Sequence, residues 1–108
     1  MVLNSEAMKR APVTRERALE LLAHSKPVLE ARYGVRRLAL FGSTARGSAG
    51  SHSDVDVLVA FDGPATSERY FGVLFYLEDL FGQPVDLVTE KALRRELRPY
   101  VEKEAKYV

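Results

Sequence analysis

Apolar positions along the chain switch between two periods, and the switches lay out the elements. Ala18, Leu21, Leu22, Val28 and Leu29 recur at the spacing of one helix face. Thr14 is placed to cap this helix, with Arg17 where a capping box would carry glutamate. Pro27 falls inside the run and is expected to kink or divide it, and Gly34 after Tyr33 is expected to close it. Val35 to Phe41 predicts a first strand, whose run Leu38-Ala39-Leu40-Phe41 suits burial on both faces. Gly42 ends it. Small polar residues then run from Ser43 to Ser53, predicting a short helix from about Ser43 and a loop through Gly50. From Asp54 to Phe61 the period is two, with Asp54, Asp56 and Leu58 on one face and Val55, Val57 and Val59 on the other. Asp62-Gly63-Pro64 is a turn.

Thr66 or Ser67 can cap the next helix, which carries Val73, Leu74, Leu77 and Leu80 on its buried stripe and stops at Phe81-Gly82. Phe71, Phe75 and Tyr76 on the same helix offer a partner surface, although core packing is expected to use at least two of them. Pro84 to Thr89 predicts a third strand. A last helix is expected after Thr89, broken before Pro99. The order is helix, strand, short helix, strand, helix, strand, helix, which is an α/β (α+β) class domain. Residues 1–12 are expected to be an N-terminal extension and 13–108 a single domain, a size that supports one core.

Composition narrows the function. The chain has 108 residues, 46% hydrophobic and 29% charged, with a formal net charge of +1. A protein that binds nucleic acid by neutralising phosphates is usually more basic, so strong direct nucleic-acid binding is not expected. Basic clusters do occur locally, as at Arg36-Arg37 and Arg94-Arg95. The absence of cysteine removes disulfides, thiolate metal sites and thiol nucleophiles, and fits a reducing compartment. No run approaches the roughly 18 consecutive apolar residues of a membrane span, and no signal-peptide core opens the chain. A cytoplasmic location without membrane attachment is the expectation.

The chemistry concentrates in one spacing, Gly42-Ser43-x10-Asp54-x-Asp56. A small-residue turn at a strand end lets backbone N–H groups approach a phosphate, and Ser43 can add its hydroxyl. Asp54 and Asp56 point the same way from one strand, about 6.5–7 Å apart, so both carboxylates can reach a shared divalent cation. An Asp-x-Asp alone is more often two solvated acids, and a Gly-Ser alone is most often a turn. Here the valines alternate with the acids, and aspartate is a poor strand former, so the acid face needs a specific reason. Asp86, within Val85-Asp86-Leu87-Val88, stands in an apolar strand where an unpaired charge is costly, and it can complete a three-carboxylate site. Arg46, one turn beyond Ser43, is either a phosphate clamp or a surface arginine. His52 fits a solvated loop better than a ligand contact. There is no P-loop lysine, nucleophile triad, zinc pattern or dinucleotide fingerprint.

Leu40-Phe41-Gly42-Ser43-Thr44-Ala45-Arg46-Gly47 with Ser53-Asp54-Val55-Asp56-Val57-Leu58-Val59 resembles the signature of the minimal nucleotidyltransferases, the smallest members of the DNA polymerase β-like superfamily. Val85-Asp86-Leu87-Val88-Thr89 resembles that family's third-acid strand. The resemblance implies a small mixed sheet flanked by helices, Mg²⁺ as cofactor, and transfer of a nucleoside monophosphate, usually from ATP, to a hydroxyl with release of pyrophosphate. It assigns triphosphate binding to Gly42 and Ser43, metal binding to Asp54, Asp56 and Asp86, and acceptor activation to Asp86. Proteins of this type commonly pair with a HEPN-domain RNase toxin as its antitoxin. The implied partner is therefore a HEPN toxin in a hetero-oligomer, adenylylated on a tyrosine hydroxyl. Two alternatives stand beside this: an antitoxin that neutralises by binding alone, and a transferase for a small molecule or an RNA end.

Overall fold

Capping chemistry sets where the two long helices begin and end. Thr14 Oγ1 accepts a hydrogen bond from the Arg17 N–H at 3.1 Å, and Thr66 Oγ1 accepts from the Arg69 N–H at 3.2 Å. Gly34 and Gly82 close the same helices in the left-handed conformation, at φ 73° and 68°. The computed structural model describes residues 13–48 and 54–108. Within these run α1 (Arg15–Tyr33), β1 (Val35–Phe41), α2 (Gly42–Arg46), β2 (Val55–Phe61), α3 (Ser67–Phe81), β3 (Val85–Thr89), a 3-10 turn (Glu90–Ala92), α4 (Arg98–Glu104) and β4 (Lys106–Tyr107). The expected extension 1–12 and the loop positions Gly50 and His52 lie outside the described residues. Among the described residues no helix is long and apolar enough to cross a membrane.

Three expectations need correction. Pro27 does not divide α1, which runs unbroken through it. The carbonyl it leaves free belongs to Ala23, and both residues are exposed, so water can take the lost bond. The segment after Thr89 is interrupted before Pro99 as expected, but its first part is only a 3-10 turn and the helix itself begins at Arg98, with Pro99 in a first turn where a missing N–H is harmless. Phe71 and Phe75 are 47% and 60% exposed, their rings stacked 5.8 Å apart, and only Tyr76 of that trio packs on the core. β4 carries no sequence signal, since two residues show no period.

The sheet order is β3-β2-β1-β4, with β1 antiparallel to β2 and β4, and β2 parallel to β3. Register assigns the faces. Leu38, Leu40, Val55, Val57, Val59, Val85 and Leu87 meet Leu22 and Leu29 of α1 and Val73 and Leu77 of α3. The other face carries Arg37, Ala39, Asp56, Leu58 and Asp86. Ala39 and Leu58 are fully buried there, which explains why β1 and β2 read as nearly continuous apolar runs. The chain after β3 crosses this second face to reach the opposite edge as β4. Arg37 Nε lies 3.3 Å from Glu90 Oε2, and the Tyr107 hydroxyl donates to the same oxygen at 3.1 Å, bracing the crossing.

α3 also covers the free edge of β3. The Val85 N–H donates to Glu78 Oε2 at 3.1 Å and the Tyr70 hydroxyl donates to the Leu87 carbonyl at 2.6 Å. These bonds occupy edge groups that would otherwise invite another strand. Tyr70→Phe is expected to destabilise the protein by about 1 kcal/mol in urea unfolding, with an unchanged denaturant slope. An unchanged midpoint would show that water replaces the hydroxyl at no cost.

Candidate active site

Strand register gathers the acids at one end of the second sheet face. Asp56 in β2 stands directly opposite Asp86 in β3 on one side and Phe41, the last residue of β1, on the other. Asp54 lies just before β2 and is exposed at the rim. Asp86 is exposed as well, which corrects the expectation of a buried charge. β3 buries Val85 and Leu87 against the helices, so Asp86 necessarily faces the other way, beyond the part of that face the C-terminal segment covers.

Asp56 bears the electrostatic load. Its carboxyl is raised from an ordinary 3.8 to about 6, first by burial, then by the neighbouring Asp86 and further by Asp54, with Arg46 pulling the other way. The Tyr70 hydroxyl is also raised, chiefly by burial and secondarily by the Asp86 charge.

Gly42 follows β1 with φ +73° and begins α2. A Cβ at Gly42 would overlap the Asp56 carboxylate, with Asp56 Cγ only 2.8 Å from its position. Glycine is therefore required here because the acid lies against its backbone, a reason separate from any approach by a phosphate. Ser43 is half-buried beside it, and Thr44 and Ala45 anchor α2 by burial. The turn and the acids thus form one contiguous surface.

Arg46 does not point freely into solvent. Its Nη1 lies 3.1 Å from Glu104 Oε1 of α4, and its charge still reaches Asp56. Glu104 carries no signal along the chain, because the partners are 58 positions apart. The Arg46–Glu104 pair bridges α2 to α4.

The donor set consists of carboxylate oxygens, the ligands hard divalent cations prefer. Among the described residues no three His or carboxylate side chains are grouped to hold an ion as they stand. The crowding of Asp56 by Asp86 and Asp54 is the charge surplus a bound cation would relieve, so the residues fit Mg²⁺. A separate cavity of about 110 Å³, lined by Val59, Phe61, Ala65, Thr89 and Lys91 among others, lies at the other end of β2 and β3. It is mainly apolar, includes none of these acids and is smaller than the usual ligand pocket of roughly 300–1,000 Å³.

The family model of the nucleotidyltransferase domain matches residues 23–108, which includes the turn, all three acids and α4. The chain belongs to the nucleotidyltransferase family. Protein adenylyltransferase MntA of Thermococcus cleftensis is 38% identical over 98 residues, covering 91% of this chain and 99% of that protein. A candidate protein adenylyltransferase of Methanocaldococcus jannaschii is 42% identical over 87 residues, covering 78% of this chain and 83% of the relative. A solved structure described as a candidate minimal nucleotidyltransferase superposes with a TM-score of 0.69 at 40% identity, covering 85% of this chain and 89% of that one. The fold is also that of the MNT antitoxin solved in complex with a tri-AMPylated Shewanella oneidensis HEPN toxin, at a TM-score of 0.54 and 19% identity, covering 86% and 66%. As a nucleotidyltransferase, the chain has the expected mixed sheet flanked by helices.

Proposed function

We propose that this nucleotidyltransferase is a Mg²⁺-dependent protein adenylyltransferase that acts as an antitoxin in the cytoplasm, moving AMP from ATP to a tyrosine hydroxyl of a HEPN-domain toxin. The observation that carries it is the in-register pair Asp56–Asp86 set against the Gly42 turn. Relatives named as protein adenylyltransferases support the acceptor being a protein, and a fold shared with an antitoxin bound to an AMPylated HEPN toxin supports the partner class.

Asp54, Asp56 and Asp86 would hold Mg²⁺, which when bound supplies charge neutralisation for the triphosphate and lowers the barrier to ionising the acceptor. The backbone N–H groups of the Gly42-Ser43 turn and the Ser43 hydroxyl bind triphosphate oxygens. Arg46 adds positive charge from the rim. The acceptor oxygen bonds to the α-phosphorus, the bond from that phosphorus to the β-phosphate oxygen breaks, and pyrophosphate leaves. Asp86, exposed and outermost on the edge strand, takes the acceptor proton. A tyrosine hydroxyl with pKa about 10 needs such a base near neutral pH.

Co-expression with the HEPN partner tests the reading. Wild-type protein is expected to add AMP to the partner, seen as adducts by intact mass, and Asp54→Asn with Asp56→Asn to add none. The stacked Phe71 and Phe75 favour a second reading, neutralisation by docking alone. It prevails if the double variant, or a wild type that adds no AMP, still suppresses toxicity.

A further inference from the structure

Two sources of negative charge compete for Arg46. It stands four residues after Gly42, one turn on and on the same side of α2, and the Gly42 backbone lies against the Asp56 carboxylate. Asp56 is in turn the register partner of Asp86. The Arg46 charge is felt at Asp56, yet its guanidinium is committed elsewhere. Nη1 donates to Glu104 Oε1 at 3.1 Å, and among the described residues Arg46 forms no ion pair with Asp54, Asp56 or Asp86. Glu104 is itself held from both sides. Arg98 Nη2 donates to the Glu90 carbonyl at 2.9 Å and fixes the start of α4. Directly beyond the helix the chain enters β4, where Tyr107 pairs with Ala39 and Lys106 with Leu40. That register stops two residues short of Gly42, so the backbone delivers the end of α4, and Glu104 with it, to the Gly42 end of β1.

We propose that Glu104 is a positioning residue, which holds Arg46 to α4 and off the acids and so keeps Asp54, Asp56 and Asp86 open to a divalent cation. A guanidinium is a natural competitor for such a site. It is always charged, and its fork of donors matches a carboxylate, so an arginine released beside three crowded acids would settle on them. A cation would then have to displace it before binding. Glu104 offers the guanidinium one carboxylate outside the cluster and removes that cost. Both side chains of the pair are about half exposed, at 53% and 46%, so the pair contributes little to stability. Its loss therefore moves Arg46 rather than unfolding α4. Held in this way, Arg46 also keeps its remaining N–H donors for the phosphates of the nucleotide.

The proposal rests on these acids being the cation site, and a binding cycle separates the two. Mn²⁺ alone, without nucleotide or acceptor protein, serves as the probe, because the electron paramagnetic resonance of the free ion reports how much is bound. Glu104→Gln is expected to weaken Mn²⁺ binding roughly 3- to 10-fold while Arg46 is present. In the Arg46→Gln background the same change is expected to cost less than about 2-fold, since no guanidinium remains to occupy the acids. Unchanged affinity in Glu104→Gln overturns the proposal. An equal loss with and without Arg46 overturns it too, because Glu104 would then act by its own charge or on the place of α4, not through Arg46. A wild type that binds no Mn²⁺, or whose affinity survives Asp54→Asn with Asp56→Asn, overturns the cation site itself, whatever Glu104 does.

Discussion

Asp56→Asn is expected to reduce nucleotidyl transfer by about 10³-fold while making the metal-free protein more stable. Both effects come from one position. Asp56 is the middle carboxylate, between Asp86 across the parallel strand pair and Asp54 at the rim, and its carboxyl is raised to about 6 chiefly by burial. A raised carboxyl holds its proton in the fold after the unfolded chain has released it. The metal-free protein should therefore lose stability as pH rises from about 4 to about 6 and then level off. The carboxylate is only partly buried, so the penalty above pH 6 is about 1 kcal/mol, or roughly 4 °C in melting temperature for a domain of this size. The asparagine variant would lack this penalty, so its melting temperature should rise by that amount at pH 7.5 and its pH dependence should flatten. Mg²⁺ should raise the wild-type melting temperature and leave the variant nearly unmoved. A lower melting temperature for Asp56→Asn without metal would mean that the acids are not crowded.

Gly42→Ala is expected to be much more damaging than the same addition at Gly82. Its backbone is at φ +73°, where an L side chain costs about 1–2 kcal/mol. The added Cβ would also overlap the Asp56 carboxylate, which must shift to make room. Overpacking of this kind costs about 1–3 kcal/mol more, for a total near 3 kcal/mol together with loss of transfer. Gly82→Ala supplies the control. It shares the positive φ, at 68°, but a Cβ there meets nothing within 4 Å, so only the backbone strain of about 1–2 kcal/mol is expected. Guanidinium unfolding of the two variants separates strain from contact. Equal destabilisation would mean that the approach of Asp56 to Gly42 contributes nothing.

Much of this site was legible because its parts are local. The period-two alternation of Val55, Val57 and Val59 with the acids settles which face they share, and Gly34 and Gly82 mark helix ends that the structure reproduces. Pairing was not legible. Asp86 reads as buried because its neighbours are apolar, yet Val85 and Leu87 take the core face and leave Asp86 exposed on the other. Leu58 reads as sharing an acid face open to solvent, yet that face is closed over it by the returning C-terminal segment. The ion pair between Arg46 and Glu104 and the brace of Arg37, Glu90 and Tyr107 join distant positions that carry no periodic signal. The break before Pro99 was legible, because a proline disfavours helix in the residue before it and suits a first turn.

If the acid-lined end of the sheet transfers a nucleoside monophosphate rather than a phosphate, position-labelled ATP will show it most directly. Purified protein, its HEPN partner and Mg²⁺ are incubated with ATP labelled at either the α- or the γ-phosphate, and the partner is recovered under denaturing conditions. Label from the α-phosphate is expected on the partner and label from the γ-phosphate only in released pyrophosphate. Retention of γ-label on the partner, with none from the α-phosphate, would make the protein a kinase and contradict the account.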